Sequence, residues 1–183
     1  MDSPLRVRIA GSGGQGVGLA GVLLAEAAIL GGLNATQSQA YGTQSRGGAS
    51  RSDVILAEGE ILFPRAEALD VLVALTDAAC TAYVGELVPG GLLLVDGDSV
   101  TPTDGPWIVH RLPIAAAAAA TGARLAANVV ALGALWELSH PVPFPALQKA
   151  VAARVPEGLR ALNLAALDAG VRLATEGAVV VVG

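Results

Sequence analysis

The sequence predicts an α/β fold of three layers, in which helices cover a mostly parallel sheet, and three features carry that prediction. A short apolar strand at 7–10 runs into glycine-rich positions 11–16 and then into a helix-forming run. Two runs rich in leucine and valine, at 69–75 and 92–96, are typical of buried central strands. From Pro113 onward the hydrophobic pattern is helical. Strand, glycine turn and helix in that order form the first unit of a Rossmann-like sheet.

Length and composition favour one folded domain that is partly covered by another protein. The 183 residues suffice for one sizeable core, and we expect a single domain over 1–183. The chain is 53% hydrophobic and only 15% charged, which excludes the composition of a disordered protein. So little charge on so small a domain predicts a buried subunit interface. Compositional bias is the alternative, since arginine far outnumbers lysine.

Net charge, cysteine content and hydropathy exclude several classes of function. A net charge of −5 argues against binding nucleic acid through its phosphates. The single cysteine, Cys80, cannot form an internal disulfide or hold an iron–sulfur cluster, and we expect a buried hydrophobic role for it. No apolar run reaches the roughly 18 residues of a membrane span, and the N-terminus shows no apolar signal core. We therefore expect a soluble, cytoplasmic protein with neither membrane nor nucleic acid as partner.

The first half of the chain predicts a helix, a short strand and a hairpin. Residues 17–30 are apolar nearly all round, with Glu26 as the only charge, which predicts a helix buried on most faces. Glycines at 31–32 end it. The polar run 34–39 predicts a short strand, either at an edge of the sheet or running out toward a site. Residues 52–57 and 60–63 are expected to pair as a β-hairpin around a Glu-Gly turn.

The second half alternates strands and helices before it becomes wholly helical. We expect strands at 69–75, 92–96 and 107–112, with a Pro-Gly-Gly turn at 89–91 and a loop at 97–106. We expect helices at 78–87, 114–121, 126–139, 144–154 and 160–175, the first of them starting at Thr76-Asp77. The tail 178–183 is either a closing strand or simply the end of the fold.

The glycine-rich loop matches G-x-G-x-x-G through Gly11, Gly13 and Gly16. Gly11 suits a tight turn, Gly13 and Gly14 allow close backbone approach, and Gly16 allows the helix to pack on the strand. Such a loop, with a helix N-terminus, favours an anion. A dinucleotide site also requires an acidic residue at the end of the second strand, where 37–39 read Gln-Ser-Gln. This mismatch favours a turn kept for packing and backbone approach, and leaves NAD or FAD as the alternative.

A second glycine-rich loop, at 40–51, contains Tyr41, Gly42, Arg46, Gly47 and Gly48. Arg46 places guanidinium donors beside backbone that lacks side chains, which suits a carboxylate, a phosphate or a partner's main chain. A solvated surface arginine is the alternative. Because the loop follows the second strand, we expect it near the first glycine loop, at the carboxyl edge of the sheet.

No self-sufficient catalytic constellation is visible in the sequence. His110 and His140 have no neighbouring carboxylate or cysteine, and we expect both to be structural. Asp96 and Asp98 follow a strand, where a parallel sheet often places functional acids, but an Asp-Gly-Asp sequence is more typical of a turn. Asn128, inside an apolar helical run, is expected to cap or hydrogen-bond a neighbouring loop. These residues favour a subunit over an independent enzyme.

Taken together, the motifs resemble the gamma subunit of the 2-oxoacid:ferredoxin oxidoreductases. The resemblance rests on GSGGQGVGLAGVLLAEAA at 11–28 and YGTQSRGGASRSDV at 41–54. It continues in order through 61–75, 90–96, 128–135 and 163–170. By this resemblance, the residues expected at a subunit interface or close to coenzyme A are Gly11, Gly13, Gly14, Gln15, Gly16, Tyr41, Gly42, Ser45, Arg46, Gly47 and Gly48.

The resemblance implies oxidative decarboxylation of a 2-oxoacid with coenzyme A, which yields an acyl-CoA and carbon dioxide and passes electrons to ferredoxin. It also implies thiamine diphosphate and magnesium between alpha and beta subunits, and iron–sulfur clusters on the beta subunit or on a small ferredoxin-like delta subunit. This chain would then bind no cofactor alone and carry no catalytic residue of its own. The 2-oxoglutarate and pyruvate types are more similar to it than the indolepyruvate type. The alternatives are a free-standing Rossmann NAD(P)- or FAD-binding oxidoreductase and a ligand-free structural subunit.

Overall fold

The computed structural model describes residues 3–41, 49–102, 104–177 and 180–181. The strands within these residues are β1 (Leu5–Gly11), β2 (Asn34–Ala40), β3 (Ser50–Ala57), β4 (Leu69–Ala74), β5 (Leu87–Asp96), β6 (Ile108–Leu112) and β7 (Val180–Val181). The α-helices are α1 (Val17–Leu30), α2 (Asp77–Tyr83), α3 (Ile114–Ala120), α4 (Ala127–Ser139), α5 (Phe144–Arg154) and α6 (Glu157–Glu176). Short 3₁₀ turns follow α2 at Val84–Glu86 and precede α4 at Arg124–Ala126.

The strands form one mixed sheet in the order β2-β3-β1-β4-β5-β6-β7. Strands β1, β4, β5 and β6 are parallel neighbours, as the runs rich in leucine and valine predict. Strand β3 lies antiparallel between β2 and β1, and β7 closes the other edge antiparallel to β6. The α/β prediction is confirmed, as is the edge position of β2.

The two faces of the sheet are covered unequally. Helices α1 and α3–α6 contribute to the larger apolar core, which includes Leu23, Val129 and Leu167. Helix α2 covers the other face with a smaller core around Leu72 and Cys80. The predicted layering is therefore confirmed, and most of the helical mass lies on the α1 face.

Helices α4 and α6 cross at two glycines. A Cβ on Gly133 would collide with the main-chain oxygen of Leu167, and one on Gly170 with the main-chain oxygen of Val130. The backbones can approach this closely only because both positions lack a side chain. This packing fixes α4, whose N-terminal end faces the first glycine loop.

The predicted hairpin at 52–57 and 60–63 is wrong. Residues 52–57 are a strand, but 60–63 are not, and β3 pairs with β2 and β1 instead. Leu62 and Phe63 are exposed at this place, so their apolar character reflects a surface segment rather than a strand. A short apolar run does not by itself reveal whether the sheet has a free position for it.

The predicted turn at 89–91 lies inside β5, which runs without a break from Leu87 to Asp96. The pairing of β5 with β4 shifts between Leu69 and Val71, and Gly90 has a φ of 79°. The Pro-Gly-Gly sequence therefore produces an irregularity in the strand instead of ending it. In the part of the chain that the structure describes, no helix is long and apolar enough to cross a bilayer.

Candidate functional site

The first glycine loop joins β1 to α1 with backbone that only glycine adopts readily. Gly14 has a φ of 90° and Gly16 a φ of 70°, both in the left-handed region. The side chain of Gln15 turns back and accepts a hydrogen bond of 2.7 Å from the Ser12 amide. Gly16 caps α1 without a side-chain hydrogen bond to the first turn. The N-terminal amides of α1 are thus left to solvent or to a ligand, and they favour negative charge.

Gly16 also fits against α4. The Asn128 side-chain nitrogen donates a 3.1 Å hydrogen bond to the Gly16 carbonyl oxygen. A Cβ on Gly16 would lie 2.7 Å from that nitrogen. The expected hydrogen bond from Asn128 to a neighbouring loop is confirmed, whereas the close approach at Gly16 is to α4 and not to the strand.

The other glycines of the loop differ in their surroundings. A Cβ on Gly11 would collide with the Gln15 side chain and press against Val17 and Leu75. The positions of a Cβ on Gly13 or Gly14 are open, with no heavy atom of the described chain within 4 Å. The tip of the loop therefore presents bare backbone to the outside.

A cleft of about 450 Å³ lies over this tip and runs along α1. It is lined by Ser12, Gly13, Gly14, Gly16, Val17, Gly18, Leu19, Val22, Gln39, Tyr41, Ser50 and Arg154. Arg154 is the only charged residue that the described part of the chain contributes to this lining, and its Nε donates a 2.7 Å hydrogen bond to Glu26. The cleft thus combines a positive helix end, an apolar wall and a guanidinium, which suits an anion attached to a less polar arm.

The strand order also changes where the end of the second strand lies, and this is the position at which a dinucleotide site needs its acidic residue. In a Rossmann site the second strand is the direct neighbour of the first. Here β3 intervenes, and Ser50 lies opposite Gly11 in the register. Gln39, near the end of β2, reaches the cleft with an amide that donates to the Gly18 carbonyl at 3.4 Å. The geometry therefore adds to the sequence argument against a ribose-binding carboxylate.

The second loop is described only at its two ends. Gly42, Ser45, Arg46, Gly47 and Gly48 lie outside the described residues. Tyr41 and Ser50, on either side, both line the cleft at the first loop. The Tyr41 hydroxyl donates to the Gln39 side chain at 3.0 Å. Both ends of the second loop therefore meet the first loop at one edge of the sheet, as expected.

Sequence reasoning missed a buried ion-pair network on the opposite face of the sheet. Arg8 of β1 is 2% exposed and donates to both carboxylate oxygens of Asp53, at 2.6 and 3.0 Å. It also donates to Glu86 at 2.7 Å and lies 4.8 Å from the centre of the Tyr83 ring. Burial alone lowers the pKa of Arg8, but Asp53 and then Glu86 outweigh it and raise the pKa overall. The available clue was a pair of opposite charges, Arg8 and Asp53, within two predicted strands.

The remaining candidates have structural environments. Cys80 is buried, and burial followed by the charge of Asp77 raises its pKa. His110 is buried in β6, and burial lowers its pKa. His140 ends α4 with a left-handed φ of 45°. The Asp96 carboxylate accepts hydrogen bonds from the Ser99 hydroxyl and the Ala115 amide, in keeping with the predicted turn role.

Fold and cleft together define a class of protein: a Rossmann-like domain with an anion-favouring glycine cleft. Among the described residues, no three His, Cys, Asp or Glu side chains come together as a metal site. The model of the pyruvate ferredoxin/flavodoxin oxidoreductase family matches residues 6–173. The chain belongs to this family.

Relatives of similar length refine that assignment. The chain is 39% identical to the 2-oxoglutarate synthase subunit KorC of Methanothermobacter marburgensis, covering 93% of this chain and 97% of the relative. It is 42% identical to the crystal structure of the keto/oxoacid ferredoxin oxidoreductase gamma subunit of Geobacter sulfurreducens. That match has a TM-score of 0.84 and covers 93% of this chain and 98% of the other. The predicted family and the gamma type of subunit are confirmed.

A third comparison supports the fold alone. The 2-oxoglutarate:ferredoxin oxidoreductase of Magnetococcus marinus was solved with 2-oxoglutarate, coenzyme A and succinyl-CoA bound. It matches with a TM-score of 0.85 at 24% identity, over 98% of this chain and 32% of the other. In that protein the same fold is about a third of a longer polypeptide. The chain described here is an oxidoreductase subunit of the gamma type.

Proposed function

We propose that this chain acts as one gamma domain over 1–183 in a cytoplasmic complex that oxidatively decarboxylates 2-oxoglutarate. The complex converts 2-oxoglutarate and coenzyme A to succinyl-CoA and carbon dioxide, and releases a proton and two electrons, which reduce ferredoxin. The 39% identity to a 2-oxoglutarate synthase subunit over nearly its whole length supports this substrate. Pyruvate is the alternative substrate.

The cleft over the first glycine loop is the observation that carries this proposal. Among the described residues its lining has one guanidinium, of Arg154, and no carboxylate, although the whole protein has a net charge of −5. Backbone amides at Gly13, Gly14 and the start of α1 can donate to phosphate oxygens. The apolar side chains of Val17, Leu19 and Val22 form a wall on which an aliphatic arm can lie. We assign this cleft to part of coenzyme A.

The cofactors of the reaction belong to other chains in this proposal. The described residues bring together no metal-binding cluster, and the single cysteine of the sequence cannot hold an iron–sulfur cluster. Thiamine diphosphate, magnesium and iron–sulfur clusters therefore fit alpha and beta partner subunits, with or without a ferredoxin-like delta subunit. Thiamine diphosphate stabilises the carbanion left by decarboxylation. This chain would orient coenzyme A and exclude water from the place where coenzyme A meets the substrate.

The test is an assay of the assembled complex. The tagged chain is co-expressed with the subunits that co-purify with it, and carbon dioxide release is measured with coenzyme A and an electron acceptor. We expect 2-oxoglutarate to be used at least about ten-fold better than pyruvate or 2-oxoisovalerate in kcat/KM. A preference for pyruvate would overturn the substrate, and partners without thiamine diphosphate would overturn the function. The isolated chain should not decarboxylate.

Coenzyme A contact has its own test. In the assembled complex, Arg154→Gln should raise the KM for coenzyme A while leaving the KM for 2-oxoglutarate unchanged. Arg160→Gln is the matched control, because Arg160 is an exposed arginine of the next helix outside the cleft. An unchanged KM for coenzyme A in Arg154→Gln would remove Arg154 from the proposed site. Micromolar binding of NAD(H) or NADP(H) by the isolated chain would favour the free-standing oxidoreductase.

A further inference from the structure

The outward face of α1 is apolar where a surface helix normally carries polar side chains. Apart from Gly18, its exposed or half-buried positions follow one helical stripe, namely Leu19, Val22, Glu26, Ile29 and Leu30. Ile29 is 60% exposed and Leu30 48% exposed. Glu26, the only charged residue of the helix, is held by Arg154 of α5. The stripe therefore offers water almost no free polar group, which is the property of a surface that another protein covers.

A groove lies beside the C-terminal half of this stripe. It has a volume of about 400 Å³ and is lined by Glu26, Ile29, Leu30, Lys149, Ala150 and Ala153. Lys149 is the only lysine of the chain, and it is exposed. None of the ion pairs among the described residues includes Lys149. The groove thus presents apolar side chains and one uncompensated cation.

We propose that this face of α1 and α5 docks an apolar segment of a larger partner subunit that carries a carboxylate opposite Lys149. The inference rests on the proposed function, which supplies the complex. Charge complementarity indicates the occupant, because among the described residues the groove has one cation without an ion-pair partner, and its one carboxylate, on Glu26, is already bound by Arg154. A second copy docked through this same face would bring another lysine and another Glu26 already held by Arg154, so charge complementarity favours a different chain.

The docking surface is continuous with the cleft at the glycine loop. Leu19 and Val22 line the cleft, Ile29 and Leu30 line the groove, and the Glu26–Arg154 pair lies between them. A partner seated on the groove would therefore close one side of the cleft.

The test compares affinities of charge variants for the co-purifying subunits. Ile29→Glu and Leu30→Glu place a carboxylate in the apolar stripe and should weaken binding about ten-fold or more. Leu159→Glu is the matched control, because Leu159 is also a helical leucine with 48% exposure, on α6. It should bind within about two-fold of the wild type. Circular dichroism and the unfolding midpoint show that each variant is folded.

Two further measurements fix the partner and separate this inference from the proposed function. Lys149→Glu should weaken binding more than Lys149→Arg, because only the former reverses the charge. Wild-type affinity in Ile29→Glu would overturn the docking surface while the proposed function stands. A homodimer of the isolated chain that Ile29→Glu converts to monomer, seen by sedimentation, would assign the face to a second copy and overturn the proposal. If the wild type binds no thiamine-containing subunit, the proposed function itself fails.

Discussion

The Asn128 side chain of α4 donates a 3.1 Å hydrogen bond to the main-chain oxygen of Gly16, 112 residues earlier in the sequence. Asn128 is 3% exposed, so its amide has little access to water. The bond holds the last residue of the glycine loop against a helix that is itself fixed by its crossing with α6. Loop geometry therefore depends on the C-terminal half of the chain, although every glycine of the loop lies within the first 16 residues.

Gly16→Ala should destabilise the isolated chain by about 2 kcal/mol. An alanine at a φ of 70° is strained, and its Cβ would lie 2.7 Å from the Asn128 nitrogen. Urea unfolding at equilibrium measures the change. Gly13→Ala is the matched control: its Cβ would meet open space, and the loss should stay below about 0.5 kcal/mol. Equal stability of the two variants would contradict the assigned role of Gly16.

Asp53→Asn should cost about 3 kcal/mol of unfolding free energy. Within the described part of the chain, the substitution leaves the buried guanidinium of Arg8 with Glu86 as its one charged partner. Replacing both residues, as in Arg8→Met with Asp53→Leu, should recover most of that loss, because no unpaired buried charge remains. Glu26→Gln removes the carboxylate of the exposed pair with Arg154 and should have a much smaller effect. A double variant as unstable as the single one would refute this account.

Stability should fall as the pH is lowered below about 6.5, and His110 should contribute to that fall. Burial lowers the pKa of His110 in the folded state below its ordinary value of 6.5. Between the folded and the unfolded pKa the unfolded chain binds more protons, so the free energy of unfolding decreases as the pH decreases. His110→Gln should flatten the profile over this window, as followed by urea unfolding at successive pH values. His140→Gln, at an exposed position, is the control and should leave unchanged the decrease in unfolding free energy that His110 causes below about pH 6.5.

Cys80 should react slowly with thiol reagents while the protein is folded. Its burial, and then the charge of Asp77, raise its pKa, so little thiolate is present and little of it is accessible. Labelling with a chromogenic disulfide at pH 8 should be complete only after urea unfolds the chain. Rapid, complete labelling of the native protein would show that Cys80 is accessible.

Arg46→Ala should reduce turnover of the assembled complex by about ten-fold in kcat/KM. The reason comes from the sequence: a guanidinium in a glycine-rich loop can make charge-assisted hydrogen bonds to a carboxylate or phosphate. Arg65→Ala, at an exposed position outside both loops, is the control. Unchanged kinetics in a fully assembled Arg46→Ala complex would show that this arginine is only solvated.

Most of the secondary structure was predictable because its patterns are local. The run 144–154 has helical periodicity and forms α5 over those residues. Thr76 begins α2 with the predicted cap and accepts a hydrogen bond from the Ala79 amide. The two glycines after Leu30 end α1 as expected. Each of these outcomes depends on neighbours within about one helical turn.

The candidate site was predictable only in part, because it joins segments that are far apart in sequence. The glycine loop and Tyr41 could be named from motifs, and both line the cleft. Arg154 could not, since it reaches the cleft from α5 and nothing near it in sequence signals a ligand. The strand at 60–63 was wrongly predicted because pairing depends on which sheet positions are free.

The sequence by itself determined an α/β chain with a glycine turn after its first strand and a low content of charged residues. Periodicity, turn residues and motif spacing record these properties locally. Only the tertiary structure decided that β3 lies between β2 and β1, that Asn128 holds Gly16, and that Arg8 finds Asp53. Strand order and buried pairing follow from how long-range surfaces fill one core, and local patterns leave that choice open.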